Sequence, residues 1–299
     1  MPAAGEAGRL LNEPSGLYKE TLQKLGSNLT FEIFPLEDSA PILASFPSGS
    51  KLAVSSWHRI GPSRMLKASR QALEMGIDVT PNVAARSITN KGVLREIGAL
   101  LERTKKALIV GGDNAESAGA WGSSQKLLVK LKKLKLLPEE IFVAGHPEGL
   151  KKELNISDDQ LIEELKLKQR FAEKNKIGMT IITQMCLSAE KTIAWIKKIR
   201  QEGIKAPIII GLPGTTKLSR IMRFFSEIGF ADSLEILGSQ SELAMEMAAK
   251  SILGFSPEVL VEKIVKQLVE EKTDLGVIGF RIFTFNDLED SLNLQNFFN

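Results

Sequence analysis

Residues 107–147 read ALIVGGDNAESAGAWGSSQKLLVKLKKLKLLPEEIFVAGHP, and this stretch decides the fold. It opens on a short apolar run that ends in Gly-Gly-Asp. A polar loop follows, then residues 123–136 with leucines spaced three and four apart among lysines, then a second apolar run ending in His-Pro. The periodicity of the middle segment is that of a helix with one apolar face, and the flanking runs have the length and composition of buried strands. A strand, a crossover of about a dozen residues or more and a second strand make a unit with parallel pairing.

The unit repeats outward in both directions. Further short apolar runs lie at 29–35 (LTFEIFP), 51–57 (KLAVSSW), 78–85 (DVTPNVAA), 179–185 (MTIITQM), 207–213 (PIIIGLP) and 277–285 (VIGFRIFTF), which brings the total to eight. Helical periodicity recurs at 63–75, 91–103, 188–202 and 217–227, and again at 239–253 and 257–271. Eight strand–helix units in about 250–300 residues match an α/β fold of the single (β/α)8 TIM-barrel type. An open doubly wound sheet would carry a GxGxxG fingerprint after an early strand, and none follows 29–35 or 51–57. The two helical segments before the last run are elaborations of the barrel. Residues 1–17, rich in Gly, Ala and Pro, read as a flexible segment ahead of one catalytic domain at 18–299.

Composition narrows the function. A formal net charge of +3 spread over the chain gives no basic stripe, so nucleic acid is not an expected partner. No apolar run approaches the ~20 residues needed to cross a bilayer. The N-terminus has no secretory pattern, so a cytoplasmic location is the expectation. Cys186 is the single cysteine and reads as a small buried hydrophobe. The two histidines, His58 and His146, form no close-spaced ligand pair, and no metal is expected.

In a barrel of this kind chemistry collects where the strands end. Glu32 interrupts an apolar strand, where a carboxylate is costly unless it is paired or used, and burial would move it toward the range of a general acid. Asp113 follows a glycine pair, Gly111 and Gly112, that lets a ligand approach closely. Gln184 ends the sixth run with an amide suited to the edge of a heterocycle. Ser55, Ser56 and Asn82 are polar at or near the ends of the second and third runs. Phe224 lies in an aromatic-rich helix and by default is core.

Six pieces occur in order on these strands: FEIFP at 31–35, IVGGD at 109–113, VAGHPEG at 143–149, ITQ at 182–184, GLP at 211–213 and GFRIFTFN at 279–286. In this the chain resembles methylenetetrahydrofolate reductase, a flavin-dependent barrel enzyme. The resemblance implies that Glu32 protonates the bridging nitrogen of a methylene-tetrahydrofolate. It also implies that Asp113 lies near flavin and pterin, that Gln184 binds the pterin and that Phe224 packs on the substrate. It assigns Ser56, Asn82, Gly112, Ala144 and His146 to the flavin's surroundings, and Lys168 and Arg170 to its phosphates. The implied cofactors are FAD and, as electron donor, NADH or NADPH; the implied state is a homo-oligomer.

The chain also departs from the family. Tyrosine is usual where His146 stands, histidine where Asn82 stands and arginine where Gly111 stands, and the aromatic run after the family's glutamine is Met185–Cys186–Leu187 here. These departures fall on flavin contacts and imply FAD held weakly, while Glu32, Asp113 and Gln184 persist. Two other readings stay open: a pterin-binding barrel methyltransferase, and a non-catalytic relative that binds folate.

Overall fold

The computed structural model describes residues 16–56, 61–112, 118–149, 156–215 and 257–298. The eight runs form eight parallel strands: β1 (Leu29–Ile33), β2 (Lys51–Val54), β3 (Asp78–Ala84), β4 (Lys106–Val110), β5 (Glu140–Gly145), β6 (Gly178–Met185), β7 (Ile208–Pro213) and β8 (Val277–Phe283). Each pairs with the next, and β1 pairs with β8 through Leu29↔Phe280 to Glu32↔Phe283, so the barrel is closed. The strands stop two or three residues short of the ends of several apolar runs. The Gly, Ser and Pro at those ends leave the ladder and form the mouth.

Among the described residues the helices are α1 (Gly16–Gly26), α2 (Ala40–Leu43), α3 (Gly61–Glu74), α4 (Lys91–Thr104), α5 (Ser124–Lys133), α6 (Asp158–Asn175), α7 (Ala189–Gln201), α8 (Glu258–Glu270) and α9 (Leu288–Asn293). Helix α1 begins inside the N-terminal segment that composition marks as flexible, so Gly16 and Leu17 are helical; residues 1–15 lie outside the description. The helices expected at 217–227 and 239–253 also lie outside it, whereas that expected at 257–271 is α8. Caps set the starts: Asn90 accepts from the Gly92 and Val93 amides at α4, and Ser157 with Gln160 forms a capping box at α6.

Alternation along each strand divides the core in two. Outward residues such as Phe31, Ile33, Leu52, Val54, Ile109, Val143, Ile181 and Ile210 join the helices in one large apolar layer. The barrel interior is itself split. Leu108, Phe142, Ile182 and Ile209, flanked by Val110 and Ile278, fill one half with hydrocarbon. Glu32, Asn82 and Arg281 occupy the other half, on β1, β3 and β8.

The carboxyl ends of β1 and β8 are locked together. Thr284 donates to the Glu32 carbonyl through its hydroxyl at 2.7 Å and through its amide at 3.2 Å. The Asn286 side chain donates to the Phe34 carbonyl and accepts from the Phe34 amide, both at 3.0 Å. Phe285 and Asn286 take positive φ of 51° and 57°, which turns the chain back onto β1. FEIFP and GFRIFTFN are thus two sides of one closure.

Candidate active site

Glu32 is the fourth of five residues in β1 and is 3% exposed. The side chain that interrupts the apolar pattern points into the barrel and is paired there. The Asn82 amide donates to its Oε1 at 3.1 Å, and Arg281 Nη2 stands 2.8 Å from its Oε2. The same Nη2 donates to Asn82 Oδ1 at 3.0 Å, so the three side chains close a ring of contacts. The Nη2 hydrogen is aligned on Asn82, and Oε2 holds the guanidinium by charge without an aligned hydrogen bond. The Arg281 guanidinium lies 5.7 Å from the centre of the Phe283 ring. Arg281 is the site residue that the sequence reading passes over: its position inside GFRIFTFN, one residue out of phase with the outward Phe280 and Ile282, is the signal that marks it as inward-facing.

A second polar cluster forms behind the ends of β5 and β6. His146, just past β5, lies within hydrogen-bonding reach of Gln184, near the end of β6. Lys168 of α6 is 5% exposed and pairs with Glu164 one helical turn earlier at 2.8 Å. Glu164 also accepts from the Ser124 hydroxyl at 3.0 Å. Burial pushes the His146 imidazole below its ordinary value; the Gln184 contact opposes this and the Lys168 charge reinforces it. Burial alone would raise the Glu164 carboxyl, yet Lys168, Ser124 and His146 outweigh it and hold the group below the usual carboxylate range. Glu148, in the same loop as His146, accepts from the Leu187 and Ser188 amides at 2.7 and 3.0 Å and ties that loop to the start of α7.

Three residues from the sequence list, His146, Gln184 and Lys168, therefore meet in one cluster, and Glu32 meets Asn82 in another. Asn82, assigned by resemblance to the flavin, is turned instead onto Glu32 and Arg281. Arg170 is exposed; two positions from Lys168 on a helix, it faces elsewhere. Ser56 is half-buried past the end of β2, and Ala144 is half-buried on β5. Gly112 has φ of +96°, and a side chain there would press on Ala84 Cβ at 3.2 Å. Asp113, His58 and Phe224 lie outside the described residues. Cys186 is fully buried against the Thr183 hydroxyl at 3.2 Å, and burial pushes its thiol up to about 12, which leaves it a packing residue.

The diphosphate of FAD needs cations that face the ligand. Among the described residues Lys168 is buried on Glu164 and Arg170 points away, so this pair does not fit the phosphates that the resemblance assigns to it. The other polar groups, a carboxylate, two amides and a guanidinium, come from β1, β3, β6 and β8. Among the described residues no cluster of His, Cys, Asp and Glu is arranged to hold a metal, and no helix is long and apolar enough to cross a membrane.

No family model matches the chain. Among solved structures it is similar to dihydropteroate synthase from Thermus thermophilus, at 12% identity over 92% of this chain and 94% of that one, with a TM-score of 0.41. It is similar also to dihydropteroate synthase from Anaplasma phagocytophilum, solved with bound 6-hydroxymethylpterin-monophosphate, at 13% identity over 90% of this chain and 97% of that one, again with a TM-score of 0.41. Values this low assign no function.

Proposed function

We propose that this chain is an oxidoreductase of the methylenetetrahydrofolate reductase type, reducing a methylene group carried on a tetrahydropterin with hydride from NADH or NADPH. The observation that carries the reading is Glu32, a carboxyl buried at the carboxyl end of β1 and fixed by Asn82 and Arg281. A proton donor held rigidly in a barrel mouth is what opening the five-membered ring of the substrate requires.

Glu32 gives its proton to the bridging nitrogen, the bond from that nitrogen to the methylene carbon breaks, and the other ring nitrogen takes up the charge as an iminium. Hydride from the reduced nicotinamide then adds to the methylene carbon and leaves an N-methyl group, and Glu32 recovers its proton from solvent. Gln184 supplies an amide to the pterin edge, with His146 beside it. Asp113 is assigned to the stabilisation of the cation on the strength of the resemblance. No step is assigned to FAD.

The test is oxidation of NAD(P)H by the purified chain with methylene-tetrahydrofolate, with methyl-tetrahydrofolate identified as product. Glu32→Gln should lower that turnover by about 100-fold or more, the usual contribution of a positioned acid. Turnover unchanged in Glu32→Gln, or absent from the native chain with either nicotinamide and added FAD, overturns the reading. Tetrahydrofolate binding without turnover would point to a non-catalytic relative.

A further inference from the structure

Among the described residues that end a strand, Phe283 of β8 is the only aromatic one. Phe280 and Ile282 join the outer apolar layer, so alternation turns Phe283 inward, as it does Arg281. Phe283 is the register partner of Glu32, and the two stand side by side on strands about 4.8 Å apart. The ring is fixed in place. A Cβ added to Gly211 of β7 would stand 2.8 Å from Phe283 Cε2 and 2.8 Å from the Gln184 carbonyl oxygen, so the ring occupies space that only glycine leaves open. The Arg281 guanidinium, whose Nε and Nη1 are buried without a hydrogen-bond partner, lies 5.7 Å from the ring centre. On the other side of Glu32 the register sets Ala53, which adds little bulk. Yet Phe283 is only half-buried and belongs to neither apolar cluster of the core. A large ring held rigid and left half-open gains little as packing, and its face is suited to stacking on a planar heterocycle.

We propose that Phe283 is a substrate-binding residue that stacks on the flat pyrimidinone ring of the pterin. Because Phe283 and Glu32 share a register position, a ring lying on the one has its substituents within reach of the other. Gly211 borders both the Phe283 ring and the Gln184 backbone, so the same ring can offer its polar edge to the Gln184 amide. Stacking selects for a planar ring and adds no charge, and it leaves the proton to Glu32.

This role rests on the proposed reductase reading, and binding measured apart from turnover lets the two fail separately. Tetrahydrofolate is titrated by calorimetry into the native chain, Phe283→Tyr and Phe283→Leu. Loss of the stack weakens binding about 10-fold in Phe283→Leu, whereas Phe283→Tyr keeps the ring face and stays within about twofold of native. In turnover the loss falls on KM for methylene-tetrahydrofolate, with kcat and the KM for nicotinamide nearly unchanged, because a stack present before and during reaction is uniform binding. A ring that only packs would lower kcat and weaken both substrates together. Native affinity in Phe283→Leu, or a rise in KM confined to the nicotinamide, overturns the role of Phe283 even where the chain is a reductase. Tetrahydrofolate binding that depends on Phe283 without turnover upholds that role and overturns the reductase reading. Should Phe283→Leu fail to fold, the ring resonances of Phe283 in the native chain, identified by their loss in Phe283→Tyr, must shift when tetrahydrofolate is added; resonances that stay in place contradict the stack.

Discussion

A glutamate between Phe31 and Ile33 carries most of what the sequence says about chemistry, because a charge in an apolar strand demands a partner or a task. The partner is not readable locally: Asn82 lies 50 residues from Glu32 in the chain and Arg281 a further 199 from Asn82, and only barrel closure brings them together. His146 carries a prediction of its own. Burial places its folded value below the unfolded one, so the unfolded chain binds the proton more readily. Its contribution to stability is therefore complete above the unfolded value near 6.5 and is lost as pH falls through the lowered folded value. Urea denaturation at pH 7.5 and 5.5 should show a loss of stability on acidification that is smaller in His146→Gln; an equal loss in both proteins would mean that His146 is not held neutral.

Strands are the elements that sequence reports best here, since eight apolar runs at crossover spacing leave little choice of topology. All eight form, and the helices expected between them agree to within two or three residues wherever they are described. Helix α6 is harder to see, because Glu164 and Lys168 sit on its inner face and break the apolar stripe on which periodicity depends. The burial of Lys168 against Glu164 explains why Lys168 and Arg170 look alike in sequence and differ in the fold. The turn after β8 is the element whose loss should be felt most simply. Asn286→Ala removes two hydrogen bonds to Phe34 and leaves a residue less suited to φ of 57°. At about 0.5–1.5 kcal/mol for each bond, the expected destabilisation is about 1–3 kcal/mol by denaturant unfolding. A variant as stable as the native chain would show that this clasp does not hold the barrel closed.

At the scale of the whole molecule, the barrel interior is asymmetric. Hydrocarbon from β4 to β7 fills one half, and a charge cluster from β1, β3 and β8 occupies the other. A uniformly packed barrel would need neither the charges nor the unpaired guanidinium nitrogens. Composition could not reveal this division, because it arises from which strand faces which across the closed sheet. In the proposed reaction the reacting end of a tetrahydropterin lies over the charged half, with Gln184 at the rim. A crystal structure of the chain with 5-methyl-tetrahydrofolate tests this most directly. The expected result is the pterin in the barrel mouth, with the Glu32 carboxylate facing the bridging nitrogen and the Gln184 amide on the pterin edge. A pterin bound elsewhere, or a mouth that takes none at saturating ligand, would contradict it.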